Sequence, residues 1–536
     1  MRKTFSLLLL SFTLILSAQE KPKLVVGIVV DQMRYDYISR YWSDFEDGGF
    51  KRLIEGGFLF RNAHYDYMPT KTGPGHASIF TGTTPARHGI VGNDWYVPAI
   101  GRNINCVEDT TATVVGGVSN GEVSPRNVKT TTITDELRLF YNFNSKVIGI
   151  SLKDRGAVIP AGHNPTGAYW YDLQSGNMIT SSYYRNNLPD WIKEYNKQKR
   201  PAFFLSKKWE LLRDESVYNE SIEDENPYEQ ELRKGMGVTF PHDLPSHKKD
   251  LSLLKYTPFT NTMIKEVAMK AVIAEELGMD TIPDFLTVSF SATDDIGHRF
   301  GPRSMEVQDT YLRLDKEISE LLSYLDEKVG KGQYTLFLSA DHGATDVPSY
   351  MHKNKMPGGY HNNGFIKNML TDGLTKKFGE GKWISSIINE QVYLNKALIS
   401  EKGIDFKEVK QHSIDLLMQE DYIVEAFDAD VVALRMFTDP SLVRLQNGYD
   451  NKRCGDILYI LSPSDLNDAW GRQGTDHRTP YTYDTHIPII FYGYGIKAGE
   501  SLRPVAITDI APTVSLLLNI SLPSGASGEP LKELFE

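Results

Sequence analysis

The stretch 24-LVVGIVVD-31 decides the architecture of this chain. Its apolar residues follow one another without a polar break, and most of them are β-branched. A half-exposed strand would alternate, so this run suits a strand buried on both faces of a parallel sheet. Similar runs recur at 146-KVIGISL-152, 285-FLTVSF-290, 335-TLFLSA-340 and 487-IPIIFYG-493. Helical periodicity lies between them, over 128-VKTTTITDELRLF-140 and 306-EVQDTYLRLDKEISELLSYLDEKV-329. Strands alternating with helices predict an α/β fold with a mostly parallel central sheet flanked by helices.

The bulk properties narrow the function. The chain has 536 residues, enough for one large domain with insertions or for two domains. Its net charge of −11 argues against a nucleic-acid partner. It leaves an anionic small substrate open, because a local cluster of cations overrides a distant negative surface. Arg2 and Lys3 precede a short apolar run from Phe5 to Leu16, and small residues follow at Ser17 and Ala18. This pattern reads as a secretory signal peptide over residues 1–18, too short to span a membrane. No cysteine follows for a lipid anchor and no other spanning run occurs, so the expectation is an exported protein, periplasmic or secreted, with no membrane span after cleavage. Cys106 and Cys454 are the two cysteines. Paired or unpaired, they form no CxxC metal motif.

In open α/β sheets, ligands bind at the carboxyl ends of the strands, and polar residues stand there in this sequence. Asp31 ends the first run, and Asp341 and His342 follow 335-TLFLSA-340. The 285–290 run leads into 291-SATDDIGH-298, where Asp294 and His298 stand four apart, on one face of a helical turn. His486 precedes the last run. Three carboxylates and three imidazoles match the ligand chemistry of zinc. Six ligands are too many for one catalytic zinc with an open position and suit two, as in sites that clamp both oxygens of an in-line displacement. Asp295 is the alternative to Asp294. His477, in 475-TDHRTPY-481, is the alternative to His486, which is preferred for its place before the closing strand.

The strings 31-DQMRYD-36, 69-PTKTGPGHASIFTG-82, 294-DDIGH-298, 341-DHG-343 and 482-TYDTHIPIIFYG-493, with 508-TDIAPTVSLLLNISLPSGASGEPL-531, resemble the alkaline phosphatase superfamily over nearly the whole core. The likeness is greatest to its secreted, phosphate-irrepressible monoesterases with a threonine nucleophile. It implies one catalytic domain over 19–536 with insertions near 96–126, 165–280 and 351–450. It further implies a first zinc site of Asp294, His298 and His486, and a second of Asp31, Asp341 and His342 that also holds the oxygen of Thr72. Thr72 is then the nucleophile that forms a phospho-threonine intermediate. A helix starting near Gly73 presents its positive end to the phosphate.

The superfamily also contains diesterases, sulfatases and phosphomutases. A sulfatase would carry Cys/Ser-x-Pro-x-Arg where this chain reads 72-TGPGH-76, so phosphate is the expected ester. Lys153 and Arg155 alternate after the 146–152 run, which in extended chain points them the same way. They resemble the Lys-x-Arg pair that grips phosphoryl oxygens in the monoesterases. Asn93, in 89-GIVGNDW-95, matches the superfamily's phosphoryl-binding asparagine. The expected activity is hydrolysis of small phosphate monoesters by an alkaline phosphatase with two zinc ions. The alternatives are a nucleotide pyrophosphatase/phosphodiesterase and a non-catalytic binding protein on the same fold.

Overall fold

The computed structural model describes residues 21–467 and 472–535, so the expected leader over 1–18 lies outside the described residues. Seven strands carry the centre of the fold: β1 (Leu24–Val30), β2 (Phe58–His64), β3 (Val147–Ser151), β4 (Gly167–Tyr171), β5 (Asp284–Phe290), β6 (Tyr334–Ser339) and β7 (His486–Gly493). They lie in the order β2-β7-β6-β1-β5-β3-β4, inside a sheet of 11 strands. β6, β1, β5, β3 and β4 are parallel neighbours, and β7 runs antiparallel between β6 and β2. Every residue of β1, β3, β5 and β6 is buried, as their mainly apolar runs predict. β2 has no such run: 58-FLFRNAH-64 turns polar at Arg61 and Asn62, and its burial fades there.

Register brings the strand ends level. Ser289 pairs with both Val29 and Ser151, and Val29 pairs with Ser339. Asp31, Ser291, Leu152 and Ala340 therefore leave the sheet along one edge. β7 is antiparallel, so its first residue, His486, starts from that edge as well.

Three helices bring further groups to the edge: α1 (Thr72–Thr81), α2 (Asp154–Ala161) and α3 (Ala292–Phe300). α1 is buried along its whole length. At Gly75 a Cβ would sit 2.3 Å from the Asp341 carbonyl oxygen, so only glycine lets α1 pass this close to the end of β6. The helix expected over 128–140 begins instead at Ile133. The Thr132 hydroxyl accepts the Asp135 N–H and the Asp135 carboxylate accepts the Thr132 N–H, a capping box that fixes the start.

At the start of the 165–280 stretch, β4 and the Met178–Ser181 strand extend the sheet. The buried aromatic string 167-GAYWY-171 supplies the reason. Between 359 and 461 the chain builds a four-stranded antiparallel sheet with its own apolar cluster around Leu370, Trp383, Val409 and Tyr459. Cys106 and Cys454 are both free thiols.

Candidate metal centre and nucleophile cleft

Two compact groups of ligand atoms form at the sheet edge. Asp31, Asp341 and His342 make one, and Asp294, His298 and His477 make the other; within each group the atoms lie within 4.8 Å of one another. In the first, His342 Nε2 is 3.4 Å from Asp31 Oδ1 and 3.7 Å from Asp341 Oδ1. In the second, His298 Nε2 and His477 Nε2 lie 3.1 and 3.6 Å from Asp294 Oδ1. The rings of His342 and His477 stack at 3.4 Å and join the two groups.

Each imidazole is oriented from behind. His298 Nδ1–H donates to the Thr475 carbonyl at 2.8 Å, His477 Nδ1–H to that of Thr70 at 2.6 Å, and His342 Nδ1–H to that of Gly343 at 3.0 Å. This turns the Nε2 of each ring toward the carboxylates, the orientation a metal requires. Burial holds His342 neutral, with its pKa pushed down to about 3. Burial and the neighbouring His342 push His477 well below the ordinary range.

The carboxylates repel one another. Burial and the charge of Asp294 push Asp31 up to about 6, against the pull of Lys153. Burial and Asp31 push Asp341 well above the usual range. Burial raises Asp294 as well, but His298 and Lys153 override it and hold it low. Asp31 Oδ1, Asp341 Oδ2 and His342 Nε2 are buried atoms without a hydrogen-bond partner. Buried polar atoms are ordinarily satisfied, so three orphaned acceptors in one knot fit a cation. A set of carboxylate oxygens and imidazole nitrogens fits zinc.

Thr72 opens α1 and is 1% exposed. Asn93 Oδ1 accepts the Gly73 N–H at 2.7 Å, and Pro74 has no N–H. The helix start therefore presents fewer free donors than its position suggests, and Asn93 is left with its amide NH2 as the available end. His76 braces this segment. Its Nδ1–H donates to the Thr72 carbonyl at 2.9 Å, its Nε2 meets the Ser289 hydroxyl at 2.9 Å, and Asp341 Oδ2 lies 3.4 Å away.

Thr72, Asn93, Lys153, Arg155, Asp294, His298 and His477 line one cleft of about 530 Å³. Lys153 and Arg155 reach it by a different route from the extended one expected. Lys153 is the N-cap of α2, and Arg155 already lies in the helix. The Lys153 ammonium contacts Asp31 Oδ2 at 2.7 Å and Asp294 Oδ2 at 2.5 Å, so a single cation touches both ligand groups.

His486 does not join either group. Its ring stacks on Tyr35 and on His64, with centroids at 4.4 and 4.7 Å, and its Nε2–H donates to the Arg61 carbonyl. The reason is pairing: His486 lies opposite His64 on β2, on the side of β7 away from Asp294. The place expected for it belongs to His477. Asp295 forms an ion pair with Lys255 at 3.2 Å instead of joining the ligands. Gln32 also escaped sequence reasoning; its Nε2 donates to Asp294 Oδ1 at 2.6 Å and its backbone N–H to Asp341 Oδ1 at 3.1 Å. The string 475-TDHRTPY-481 carried the available signal for His477, a histidine in a polar loop upstream of the last strand.

The family described as type I phosphodiesterase / nucleotide pyrophosphatase matches residues 25–465. The chain is 44% identical to alkaline phosphatase PafA of Elizabethkingia meningoseptica, over 97% of this chain and 95% of that protein. It is 43% identical to a Myroides odoratus protein named calcium-transporting ATPase, over 98% of this chain and 97% of the other. The crystal structure of wild-type PafA superposes with a TM-score of 0.94 at 44% identity, covering 97% of this chain and 100% of that one.

Proposed function

The chain belongs to the type I phosphodiesterase / nucleotide pyrophosphatase family, and on that premise we propose that it is an exported alkaline phosphatase that hydrolyses phosphate monoesters at a two-zinc site. One observation carries the reading: Thr72, Lys153 and Arg155 line the same cleft as the Asp294 group, and Lys153 touches a carboxylate of each ligand group. Asp31, Asp341 and His342 would hold one zinc beside Thr72, and Asp294, His298 and His477 the other. Zinc, when bound, supplies Lewis-acid stabilisation of the negative charge that develops on the attacking and leaving oxygens.

The chain's own residues do the rest. Thr72 Oγ1 gives up its proton to solvent in the cleft and attacks phosphorus; the bond from phosphorus to the leaving oxygen breaks, that oxygen departs with a proton taken from solvent, and a phospho-threonine remains. Lys153 and Arg155 donate to the phosphoryl oxygens of a dianion, with Arg155 able to offer two parallel N–H bonds. Asn93, its carbonyl end held by Gly73, donates from its amide NH2. Water then attacks the same phosphorus, Thr72 is released, and inorganic phosphate leaves.

The name of the Myroides relative does not redirect this reading. Among the described residues no helix is long and apolar enough to cross a membrane. The test is a rate comparison on a sample of known metal content. Purified protein with about two zinc per chain should hydrolyse an aryl phosphate faster than a bis-aryl phosphate. The reverse preference would assign the cleft to diesters, and a chain without metal or turnover would make it a binding protein.

A further inference from the structure

We propose that Glu390, at the tip of a hairpin outside the central sheet, is a positioning residue that acts through Arg478 to set His477 in its ligand group. The proposal rests on the two-zinc reading of that group. The hairpin joins the strands Ile384–Ile388 and Gln391–Leu394 by a two-residue turn, Asn389-Glu390. Both turn residues have φ of 56°. Such turns favour Asn followed by Gly, because each position demands a left-handed backbone. Asn389 fits that rule, whereas Glu390 stands where glycine costs nothing. The side chain must be there for another reason.

That side chain is 2% exposed, and its Oε1 accepts from Arg478 Nη1 at 3.2 Å. Arg478 is itself in a backbone conformation rare for an L-residue, with φ of 147°. Its guanidinium is consumed by local partners. Nε–H donates to the His477 carbonyl at 3.1 Å, Nη1 goes to Glu390, and Nη2 contacts Asp476. Asp484 Oδ2 fixes the far side, accepting the N–H groups of Arg478 and Thr479 at 2.9 and 2.8 Å. The loop that carries His477 is thus bent back by a strained arginine whose charge is met by Asp476 within the loop and by Glu390 from outside it. Strained non-glycine residues persist where the surroundings over-determine them and cluster at functional sites, and here Glu390 and Arg478 meet next to a ligand histidine. The neighbouring Asn389 donates to the Asp94 carbonyl at 2.7 Å, one residue from Asn93. The hairpin tip therefore ties together the two lips of the cleft, one holding the ligand histidine and the other the phosphoryl-binding amide.

The experiment is a zinc-competition titration of the full-length holoenzyme with a chelator. Glu390→Gln keeps the shape and removes the charge, and Glu390→Ala removes both. Each should give up one of its two zinc ions at a chelator level roughly 10–100-fold lower than wild type, the range seen when groups behind a metal ligand are lost. Glu390→Ala should exceed Glu390→Gln, the second zinc should stay, and turnover should return on adding zinc. A control breaks a half-buried ion pair elsewhere in the same insertion: Lys410→Met removes the contacts with Asp428 at 2.6 Å and Asp430 at 2.7 Å. It should lower the melting temperature and leave both zinc affinities unchanged. Two results overturn the proposal: both Glu390 variants hold two zinc ions as tightly as wild type, or Lys410→Met weakens zinc equally. A wild-type chain that binds no zinc would instead sink the two-zinc reading itself.

Discussion

Lys153→Met is the substitution whose effect the geometry constrains most. The ammonium is 12% exposed and lies 2.7 Å from Asp31 and 2.5 Å from Asp294, both buried. Burial lowers its pKa, but the two carboxylates override that and raise it, so it stays charged. Without zinc it is the cation that touches both ligand groups, and breaking a buried pair by removing one partner costs about 3–5 kcal/mol. With zinc bound, the carboxylates have other counter-charges and the loss should be much smaller. Activity reports a second term. A charge-assisted hydrogen bond to a phosphoryl dianion is worth about 1.5–3 kcal/mol, a loss of about 10- to 100-fold in kcat/KM. A diester carries one negative charge fewer, so its kcat/KM should fall less and the monoester preference should narrow. The assay is thermal or denaturant unfolding with excess zinc and with chelator, beside kcat/KM for aryl and bis-aryl phosphate. Equal destabilisation with and without zinc would refute the electrostatic account, and an unchanged monoester-to-diester ratio would refute the phosphoryl contact.

Thr72→Ala should abolish phospho-enzyme, read by acid quench and mass spectrometry, while about two zinc per chain remain; near wild-type turnover would remove Thr72 from the reaction. His477→Ala should lose one zinc and most activity, and His486→Ala should keep both ions, since its ring stacks on Tyr35 and His64 and bonds the Arg61 carbonyl instead of joining either group. Elemental analysis of the two variants decides between them. Glu229→Gln should raise the melting temperature at alkaline pH. Burial and the charge of Glu306 push the Glu229 carboxyl from 4.5 up to about 10, so the folded state keeps a proton that the unfolded state releases. Stability from this group is full below about pH 4.5 and drains as pH climbs above it. A wild-type melting curve flat between pH 6 and 9, and unchanged in Glu229→Gln, would contradict this.

What the sequence disclosed and what it withheld follow from burial and strand direction. β1, β3, β5 and β6 were legible because strands covered on both faces are made mostly of apolar side chains. Their ends were legible because parallel strands in register release polar residues along one edge, which found Asp31, Asp294 and Asp341 together. The same reasoning misplaced His486. A strand-end rule treats the residue beside the strand as the one facing the site, but β7 is antiparallel and His486 is paired with His64. The histidine that joins Asp294 and His298 comes instead from the preceding loop, and nothing periodic marks a loop. Its position depends on contacts between distant segments: Gly474, whose Cβ would sit 2.0 Å from the His298 carbonyl oxygen, His477 bonded to the Thr70 carbonyl, and Arg478 held by Glu390. Lys153 and Arg155 show the converse. The extended chain invoked for them is a helix start, yet both line the cleft, because the N-terminus of α2 lies at the same edge as the strand ends. Residue type at a strand end is therefore a sound guide to which segments meet, and a poor guide to which side chain turns inward. That second question is settled by loop closure, whose determinants in this chain lie as far away as the hairpin at Asn389-Glu390.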